Sequence, residues 1–385
     1  MKRKKSSIKK NRTPIFIKGT TGYRSSRFII LVSAMTILTL LGVVMVLSAS
    51  SVNDLRIFGD TWHHLKRQLL WLFLGVTSMV VAMRINYLFI KKISFLFLVF
   101  SLLLLGLVLV PGIGIRTNGS ARWLGIGSFT FQPSELVKLS VILYLADIFS
   151  TSKESEKKKY LSKLQRFFLL VGTTAALLLL EPDLGTAVII SGIAFSILFF
   201  SGFPLKPLAF LSFGGLSLLA IASYSSGYRR KRLLGVLDPW KDPLNSGWQA
   251  IQSAVAISNG GVTGLGLGAS RAKWGFLPFA HTDFIFAIVA EEMGLVGATF
   301  LIIAFLSIGL AGLMTAVKAS DSFGQLLAAG ITTWITIQAF VNIGAVLGVL
   351  PITGVPLPFV SSGGSSLVVT MASFGLLLNV SRQGR

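Results

Sequence analysis

The polar residues His281, Thr282 and Asp283 lie together, directly before a long apolar stretch that begins at Phe284. One interpretation of Asp283 is a cap for the following helix, because aspartate accepts hydrogen bonds from the free N–H groups at a helix start. Capping does not account for the whole cluster. Partial burial would raise the pKa of the Asp283 carboxyl toward the range that suits a general base. Asp283 is therefore a candidate catalytic base, and His281 is a rival base and a candidate substrate-binding residue.

Glu291 and Glu292 follow two turns later in the same apolar stretch. In a helix with 100° per residue, Glu291 lies ~80° from Asp283 around the axis. One of the two glutamates could therefore face the same cavity and serve as a second acid. Alternatively, both carboxylates are structural and pair with nearby donors. The sequence leaves both interpretations open.

A second group consists of Arg122, Trp123 and Lys138, on either side of the motif Gln132-Pro133-Ser134-Glu135. Glu135 and Lys138 are three residues apart, a spacing at which side chains pair on one helix face. Alternatively, Lys138 and Arg122 form an anion-binding patch that contacts substrate. Trp123 is either part of that patch or an aromatic residue of a membrane interface.

A third group lies in the polar segment 224–283, which begins with the basic run Arg229-Arg230-Lys231-Arg232. Arg229 and Arg230 are candidate binding residues for an anionic headgroup or a pyrophosphate. A glycine-rich run, 260–268, precedes Lys273, which is a further candidate. The glycines either let the backbone approach a ligand closely or form a flexible lid.

The composition determines which elements position these residues. Of 385 residues, 53% are hydrophobic and 13% are charged, whereas soluble domains have about 25% charged residues. The chain has no cysteine and three histidines, which excludes disulfides and leaves little material for a histidine-rich metal site. The net charge of +22 could indicate nucleic acid, but the placement of the charges between apolar stretches favours a membrane protein.

Ten apolar stretches approach the ~20 residues that cross a bilayer core. The sequence thus predicts an all-α, polytopic membrane bundle of about ten transmembrane helices. The tripeptide Glu181-Pro182-Asp183 is expected to form a tight turn, since a carboxylate within the bilayer is costly. The predicted spans lie near residues 28–50, 69–84, 93–111, 134–150, 167–181, 185–201, 206–223, 284–317, 323–350 and 365–381.

The basic residues predict the orientation. With the N-terminus in the cytoplasm, 23 Lys and Arg residues fall on the inside and 5 on the outside, if the segment 224–283 is left aside. Long loops largely escape the positive-inside rule. We therefore expect a basic cytoplasmic tail at 1–27, a transmembrane domain at 28–381 with a long extracytoplasmic loop at 224–283, and a cytoplasmic C-terminus at 382–385.

Several motifs, in order along nearly the whole chain, resemble the SEDS family (shape, elongation, division and sporulation), its FtsW branch more than its RodA branch. Each motif is weak alone, and the combination is specific. The motifs are Asn118-Gly119-Ser120 with Arg122-Trp123, Gln132–Glu135 with Lys138, Glu181–Thr186, Gly247 with Gln249, Gly260–Lys273, His281–Phe286 with Glu291-Glu292, and Pro356–Phe359 with Gly363–Ser366.

The resemblance implies a peptidoglycan glycosyltransferase of the bacterial inner membrane, at the division septum, with Asp283 as the catalytic residue. It implies that Arg122, Trp123 and Lys138 are sensitive to substitution. The implied partners are lipid II, polyprenyl-pyrophosphate-linked glycan, a class B penicillin-binding transpeptidase and other division proteins, with no nucleic acid. No organic cofactor is implied, and a divalent cation, Mg or Mn, is an open question.

Two positions depart from the family pattern. Phe279 follows Pro278 where the family has glutamate, and Ser362 stands where the family has tyrosine. Two other functions also fit a basic cavity in a membrane bundle: a lipid II flippase, and a scaffold that recruits division proteins. A flippase needs no positioned carboxylate at the outer mouth of the cavity, so the role of Asp283 separates a flippase from a glycosyltransferase.

Overall fold

The computed structural model describes residues 25–384, apart from 118–119, 127–128, 151–156, 225–226, 228–229, 231, 233–234 and 237. Within these ranges the chain forms eleven α-helices and three short β-strands, which confirms the predicted all-α membrane bundle. Residues 1–24 of the predicted basic tail lie outside the described residues. The elements are α1 (Ser26–Phe58), α2 (His63–Arg84), α3 (Tyr87–Val108), β1 (Ile115–Thr117), β2 (Ser120–Ile126), β3 (Phe129–Phe131), α4 (Pro133–Ser150), α5 (Lys157–Leu180), α6 (Leu184–Phe200), α7 (Leu205–Tyr224), α8 (Trp248–Gly260), α9 (Ile285–Val317), α10 (Ser322–Val346) and α11 (Ser365–Gln383).

All ten predicted spans coincide with helices, and α8 is an additional helix within the segment 224–283. Seven of the described helices are long and apolar enough to cross a membrane, namely α1, α2, α3, α5, α9, α10 and α11. Large apolar side chains face outward, and those of Phe73, Leu169 and Phe210 are each more than 70% exposed. Such a surface is unfavourable in water and suits contact with lipid.

Local sequence signals explain several helix ends. Ser25 caps α1 by accepting a hydrogen bond from the Phe28 N–H at 3.4 Å. Gly59 ends α1 in the left-handed conformation, with φ of 68°, which glycine adopts without steric cost. The expected turn at Glu181-Pro182-Asp183 separates α5 from α6, and Asp183 caps α6 by accepting from the Thr186 N–H at 3.2 Å.

Helices α2 and α11 pack closely because glycines lie at their contact. Gly75 of α2 faces Met371, and Gly375 of α11 lies against the backbone of Met79. A Cβ atom at Gly375 would lie 2.4 Å from the Met79 carbonyl oxygen, so no larger residue fits there. Close approach at small residues is typical of membrane helices.

Helix α9 is interrupted at Gly294, whose φ of 63° and ψ of −163° are not helical. The interruption leaves backbone groups without helical partners, and the glycine-rich segment that follows α8 supplies them. The N–H groups of Leu265 and Gly266 donate to the carbonyl oxygens of Glu291 and Glu292, both at 3.0 Å. We call residues 261–266 the glycine clasp.

The clasp requires glycine because its backbone lies directly against α9. Gly264 has a φ of +84°, and a Cβ atom there would lie 2.2 Å from the Glu292 carbonyl oxygen. Of the two interpretations of the glycine run, the structure shows close backbone approach, to a helix of the same chain. This contact fixes the position of α9 relative to the long segment 224–283.

The strands form a small antiparallel sheet in the order β1-β2-β3. Trp123 of β2 pairs with Ile115, and Leu124 pairs with Phe131. This region falls between two predicted spans, and its strands are not predicted from the sequence, because strands of three residues are too short to show a clear alternation of polar and apolar residues. The sheet matters for the site because β2 carries Arg122 and Trp123.

Candidate active site

A pocket of about 350 Å³ opens at the end of the bundle that carries the sheet. The start of α2, the sheet, the segment before α9 and the loop between α10 and α11 all contribute to its walls. Asp283 is the one carboxylate among the lining residues that the structure describes. The lining consists of His64, Arg67, Trp71, Ser120, Arg122, Trp123, Thr130, Gln132, Arg232, Gln249, Phe279, His281, Thr282, Asp283, Ile352, Gly354, Pro356, Ser362, Gly363, Gly364 and Ser366.

The backbone around Asp283 is held by hydrogen bonds from two other parts of the chain. The Asn342 side chain of α10 donates to the Asp283 carbonyl oxygen at 2.8 Å. The Ser361 hydroxyl donates to the Thr282 carbonyl oxygen at 2.6 Å, and the Ser362 N–H donates to the His281 carbonyl oxygen at 3.0 Å. The Asp283 side chain is therefore presented to the pocket from a fixed backbone.

Capping does not explain Asp283. The cap residue of α9 is Phe284, and no side chain caps this helix start. The alternative considered from the sequence, that Asp283 caps the helix, is wrong, because the turn that precedes α9 directs the carboxylate into the pocket instead.

Burial raises the pKa of the Asp283 carboxyl to about 6. The guanidinium groups of Arg232 and Arg122 oppose this shift, and the charge of Asp183 adds to it. A carboxyl with this pKa is largely ionised at neutral pH and yet is a stronger base than an ordinary aspartate. The electrostatic setting thus suits proton abstraction.

Arg122 reaches the pocket from β2 and is anchored to the turn between α5 and α6. Its Nε donates to the Glu181 carbonyl oxygen at 3.3 Å, and an Nη donates to the Pro182 carbonyl oxygen at 2.5 Å. A methyl group placed on Gly354 would lie 3.6 Å from Asp283 Oδ2 and 3.9 Å from Arg122 Nη1. The carboxylate and the guanidinium therefore border the same small space above Gly354.

The Glu181 side chain lies next to this anchor and is buried, with 1% exposure. Burial and the charge of Asp183 raise the pKa of the Glu181 carboxyl to about 8, while Arg122 opposes the shift. Glu181 is therefore mostly protonated at neutral pH. The positive charge of Arg122 is consequently not neutralised by this neighbour and remains available to an anion in the pocket.

Lys138 does not line the pocket. Its Nζ is fully buried in α4 and donates to Glu135 Oε1 at 2.7 Å and to Gln338 Oε1 at 2.8 Å. The ion pair considered from the sequence is thus present, and the anion-binding patch of Lys138 with Arg122 is not formed. Lys138 instead supports the pocket wall, because Gln338 in turn donates to the Pro356 carbonyl oxygen at 2.8 Å.

Glu291 and Glu292 also lie away from the pocket. Glu291 accepts hydrogen bonds from the Ser270 hydroxyl at 2.5 Å and from the Arg271 N–H at 3.1 Å. Glu292 accepts from the Ser48 hydroxyl at 2.6 Å. These carboxylates tie the segment before α9 to α9 and α1, so the structural interpretation holds and neither is placed as a second acid.

Lys273 belongs to the same buried network. Its Nζ donates to the Gly268 carbonyl oxygen at 2.6 Å and lies 3.5 Å from Glu292 Oε1. It was predicted to bind substrate, but the structure places it outside the pocket lining, since Glu292 and the Gly268 carbonyl oxygen hold its Nζ.

Of the basic run, Arg232 is the residue that reaches the pocket. Its guanidinium donates to the Ile352 carbonyl oxygen at 3.1 Å. Arg230 is exposed and does not line the pocket, and Arg229 lies outside the described residues. The sequence alone does not single out Arg232 within the run, because the order of four adjacent basic residues does not show which of them reaches a pocket.

The sequence analysis did not single out the lining residues of α2, namely His64, Arg67 and Trp71, which share one face of that helix. Their spacing of three and seven residues is the signal that could have revealed them, since such residues share a helix face. No group of three or more His, Asp or Glu side chains that could hold a metal ion is found in the described part of the chain.

The family model FTSW_RODA_SPOVE, described as "Cell cycle protein", matches residues 28–385. The chain belongs to this family. The FtsW/RodA/SpoVE assignment confirms the resemblance inferred from the motifs. Among its relatives, the "Probable peptidoglycan glycosyltransferase FtsW" of Geobacter metallireducens is 46% identical over 347 residues, which cover 89% of this chain and 92% of the relative. Stage V sporulation protein E of Bacillus subtilis is 40% identical over 369 residues, covering 95% of this chain and 100% of the relative.

Solved structures of the FtsW/RodA/SpoVE family share the fold. One, from work on "Structural coordination of polymerization and crosslinking by a peptidoglycan synthase complex", matches with a TM-score of 0.76 at 33% identity, covering 91% of this chain and 96% of that chain. The Thermus thermophilus rod shape determining protein RodA matches with a TM-score of 0.68 at 28% identity, covering 91% and 95%.

Both departures from the FtsW/RodA/SpoVE motif pattern lie in the pocket wall. Phe279 lines the pocket with a φ of 58°, an uncommon conformation for a residue with a side chain. Pro182 and Phe359, with φ of 32° and 64°, are the other such residues in the described ranges. Backbone strain of this kind clusters at functional sites, and Pro182 contacts Arg122 directly.

Proposed function

We propose that this chain polymerises lipid II into glycan strands on the extracytoplasmic face of the cytoplasmic membrane, with Asp283 as general base. Its place in the family and its relatives named as peptidoglycan glycosyltransferases support this class of enzyme. The observation that carries the proposal is the position of Asp283. Its carboxylate lies in an open pocket and, next to Gly354, borders the same space as the Arg122 guanidinium.

In this reaction the 4-hydroxyl oxygen of the acceptor sugar attacks the anomeric carbon of the donor sugar. Asp283 takes the hydroxyl proton as the new C–O bond forms. The bond from the anomeric carbon to the pyrophosphate oxygen breaks, and the pyrophosphate leaves with the electron pair. Negative charge therefore grows on the leaving group, and prearranged cations stabilise it.

Arg122 and Arg232 are the cations that we assign to this charge. Both line the pocket, and both lower the pKa of Asp283 through their positive charge. Lys138, which was predicted to share the role, is fully buried and supports the wall behind them. Trp123 lines the pocket and offers an aromatic surface to the sugar.

His281 is the rival base and also lines the pocket. Burial lowers the pKa of its imidazole to about 4, whereas the pKa of Asp283 is raised to about 6. General base catalysis is most efficient when the pKa lies near the working pH. These values favour Asp283 as the base and leave His281 as a neutral binding residue.

We further propose that the pocket opens to the extracytoplasmic side, where the charge distribution places the sheet and the segment 224–283. We infer that a class B penicillin-binding transpeptidase crosslinks the strands that this chain makes and that the enzyme acts in division. One of the solved relatives is described as a peptidoglycan synthase complex that coordinates polymerization and crosslinking. FtsW names among the relatives favour division over elongation.

The direct test is polymerisation by the purified chain in detergent, with labelled lipid II and no other polymerase. We expect glycan strands that separate as a ladder on a gel. A flippase would move lipid II across vesicle membranes and leave it unpolymerised, and a scaffold would do neither. The absence of strands, with transport of lipid II present, would support the flippase.

A further inference from the structure

Asp54, near the end of α1, is a buried carboxylate that the proposed mechanism does not use. Its side chain has 0% exposure. Its Oδ1 lies 2.5 Å from His64 Nδ1, and its Oδ2 accepts from the His64 N–H and the Ser50 hydroxyl, both at 3.0 Å. Because a buried carboxylate is costly unless it is paired, these hydrogen bonds hold the Asp54 carboxylate and fix the orientation of the His64 ring.

His64 connects this pair to the pocket. Its side chain retains 22% exposure and lines the cavity. With Nδ1 bound to Asp54, Nε2 is the ring atom that remains for a ligand. Arg67 and Trp71, three and seven residues further along α2, line the same cavity. This face of α2, consisting of His64, Arg67 and Trp71, thus combines an imidazole, a guanidinium and an indole ring.

His281 lies next to His64, with the ring centroids 4.5 Å apart. Burial, and then the positive charge of His64, lower the pKa of His281 to about 4, with Asp54 opposing the shift. With this pKa, His281 is the neutral neighbour of His64 at neutral pH, and the Asp54 carboxylate is bonded to His64 rather than to His281.

We propose that His64, held by Asp54 on one side, binds a phosphate group on the other side as an imidazolium, through Nε2–H, and acts together with Arg67. The identity of the anion as a polyprenyl pyrophosphate rests on the proposed function. A reaction that joins two lipid-linked sugars brings two pyrophosphates to one pocket. Arg122 and Arg232 lie near Asp283, and the α2 face supplies cationic groups from another wall. In this assignment Asp54 is a positioning residue that acts through His64.

The test is binding of radiolabelled polyprenyl pyrophosphate to the full-length protein in nanodiscs of uncharged lipid. We expect His64→Ala to weaken binding about tenfold or more, the usual effect of losing a hydrogen bond to a charged group. The matched control is His63→Ala, because His63 stacks on Phe58 with centroids 3.8 Å apart and does not line the pocket. It should bind like the unmodified protein. Equal affinity of the two variants would overturn the proposal.

The role of Asp54 is tested by a double-variant cycle. Asp54→Asn should weaken binding, and Asp54→Asn combined with His64→Ala should bind no more weakly than His64→Ala alone, because Asp54 acts through the ring. Fully additive losses would contradict this. If His64→Ala melts early, His64→Gln replaces it, since it keeps a polar side chain without the positive charge and must still weaken binding.

The outcomes separate the two proposals. If the unmodified protein polymerises no lipid II but its pyrophosphate binding depends on His64, the catalytic proposal fails and the binding site stands. If it polymerises lipid II and His64→Ala binds pyrophosphate normally, the site on α2 fails alone.

Discussion

The buried pair of Lys138 and Glu135 gives a sharp prediction about stability. Lys138→Met removes the charge and both of its hydrogen bonds, at 2.7 Å to Glu135 and 2.8 Å to Gln338. It also removes a cation–π contact, in which Nζ lies 4.8 Å from the Trp334 ring centroid. Methionine has a similar length, so little empty space remains, and the main loss is electrostatic.

The size of the loss follows from what remains in the site. Glu135 keeps the hydrogen bond from Ser366 at 3.0 Å, but its charge becomes buried without a partner. Breaking a buried ion pair in this way costs about 3–5 kcal/mol. Adding Glu135→Gln to Lys138→Met removes the unpaired charge, so the double variant should recover part of the loss.

The assay is the melting temperature of the purified protein in detergent. For a chain of this length, the loss corresponds to a decrease on the order of 5 °C. The matched control is Lys91→Met at the partly exposed pair with Asp147, 3.7 Å apart, where the expected cost is below about 1 kcal/mol. A Lys138→Met variant that melts like Lys91→Met, or a double variant that melts lower than Lys138→Met, would refute the reasoning.

Three further predictions concern the pocket and the clasp. Because the base must be unprotonated and the pKa of Asp283 is raised to about 6, polymerisation should fall about tenfold per pH unit below that value and level off above it; a rate that is flat from pH 4 to 8 excludes this carboxyl. Arg122→Ala should lower kcat/KM about tenfold or more. It should also move the acidic limb of the pH–rate profile to higher pH, since Arg122 lowers the pKa of Asp283. Arg230→Ala, at an exposed site, is the control, and equal pH–rate profiles in the two variants would contradict the assignment. Gly264→Ala should destabilise the protein by about 1–3 kcal/mol because a Cβ there meets the α9 backbone, whereas Gly106→Ala, with open space around it, should melt normally.

The helical spans were predictable because ten long apolar stretches leave no other fold for a membrane protein. Asp283 and Arg122 were each candidate site residues from the sequence, and the resemblance to the SEDS family assigned both to one function; that they line one pocket follows from the fold. The partners of the Lys138 and Glu291 side chains were not predictable, because spacing along a helix gives the direction of a side chain but not the residue that it contacts. Gln338, the partner of Lys138, is 200 residues away along the chain.

The contribution of α2 to the pocket was not predicted from the sequence, for a different reason. The first turns of α2 are polar and were assigned to the connection before the second span, so the common face of His64, Arg67 and Trp71 was not considered. The sheet was missed because its outer strands have three residues each. Both the first turns of α2 and the sheet are short segments whose sequences show little hydrophobic periodicity, so their structure depends on contacts with the rest of the chain.

The central claim is that Asp283 removes the proton from the acceptor hydroxyl, and Asp283→Asn in the lipid II polymerisation assay tests it most directly. Asn preserves the shape of the side chain, and the backbone contact from Asn342 is unchanged, so the melting temperature should stay the same. His281→Ala tests the rival base in parallel, and Asp60→Asn, at an exposed aspartate paired with Lys66, is the control acid. We predict that Asp283→Asn lowers the rate of polymerisation by at least about 10²-fold while Asp60→Asn retains the full rate; strands formed by Asp283→Asn at the unmodified rate would contradict the account.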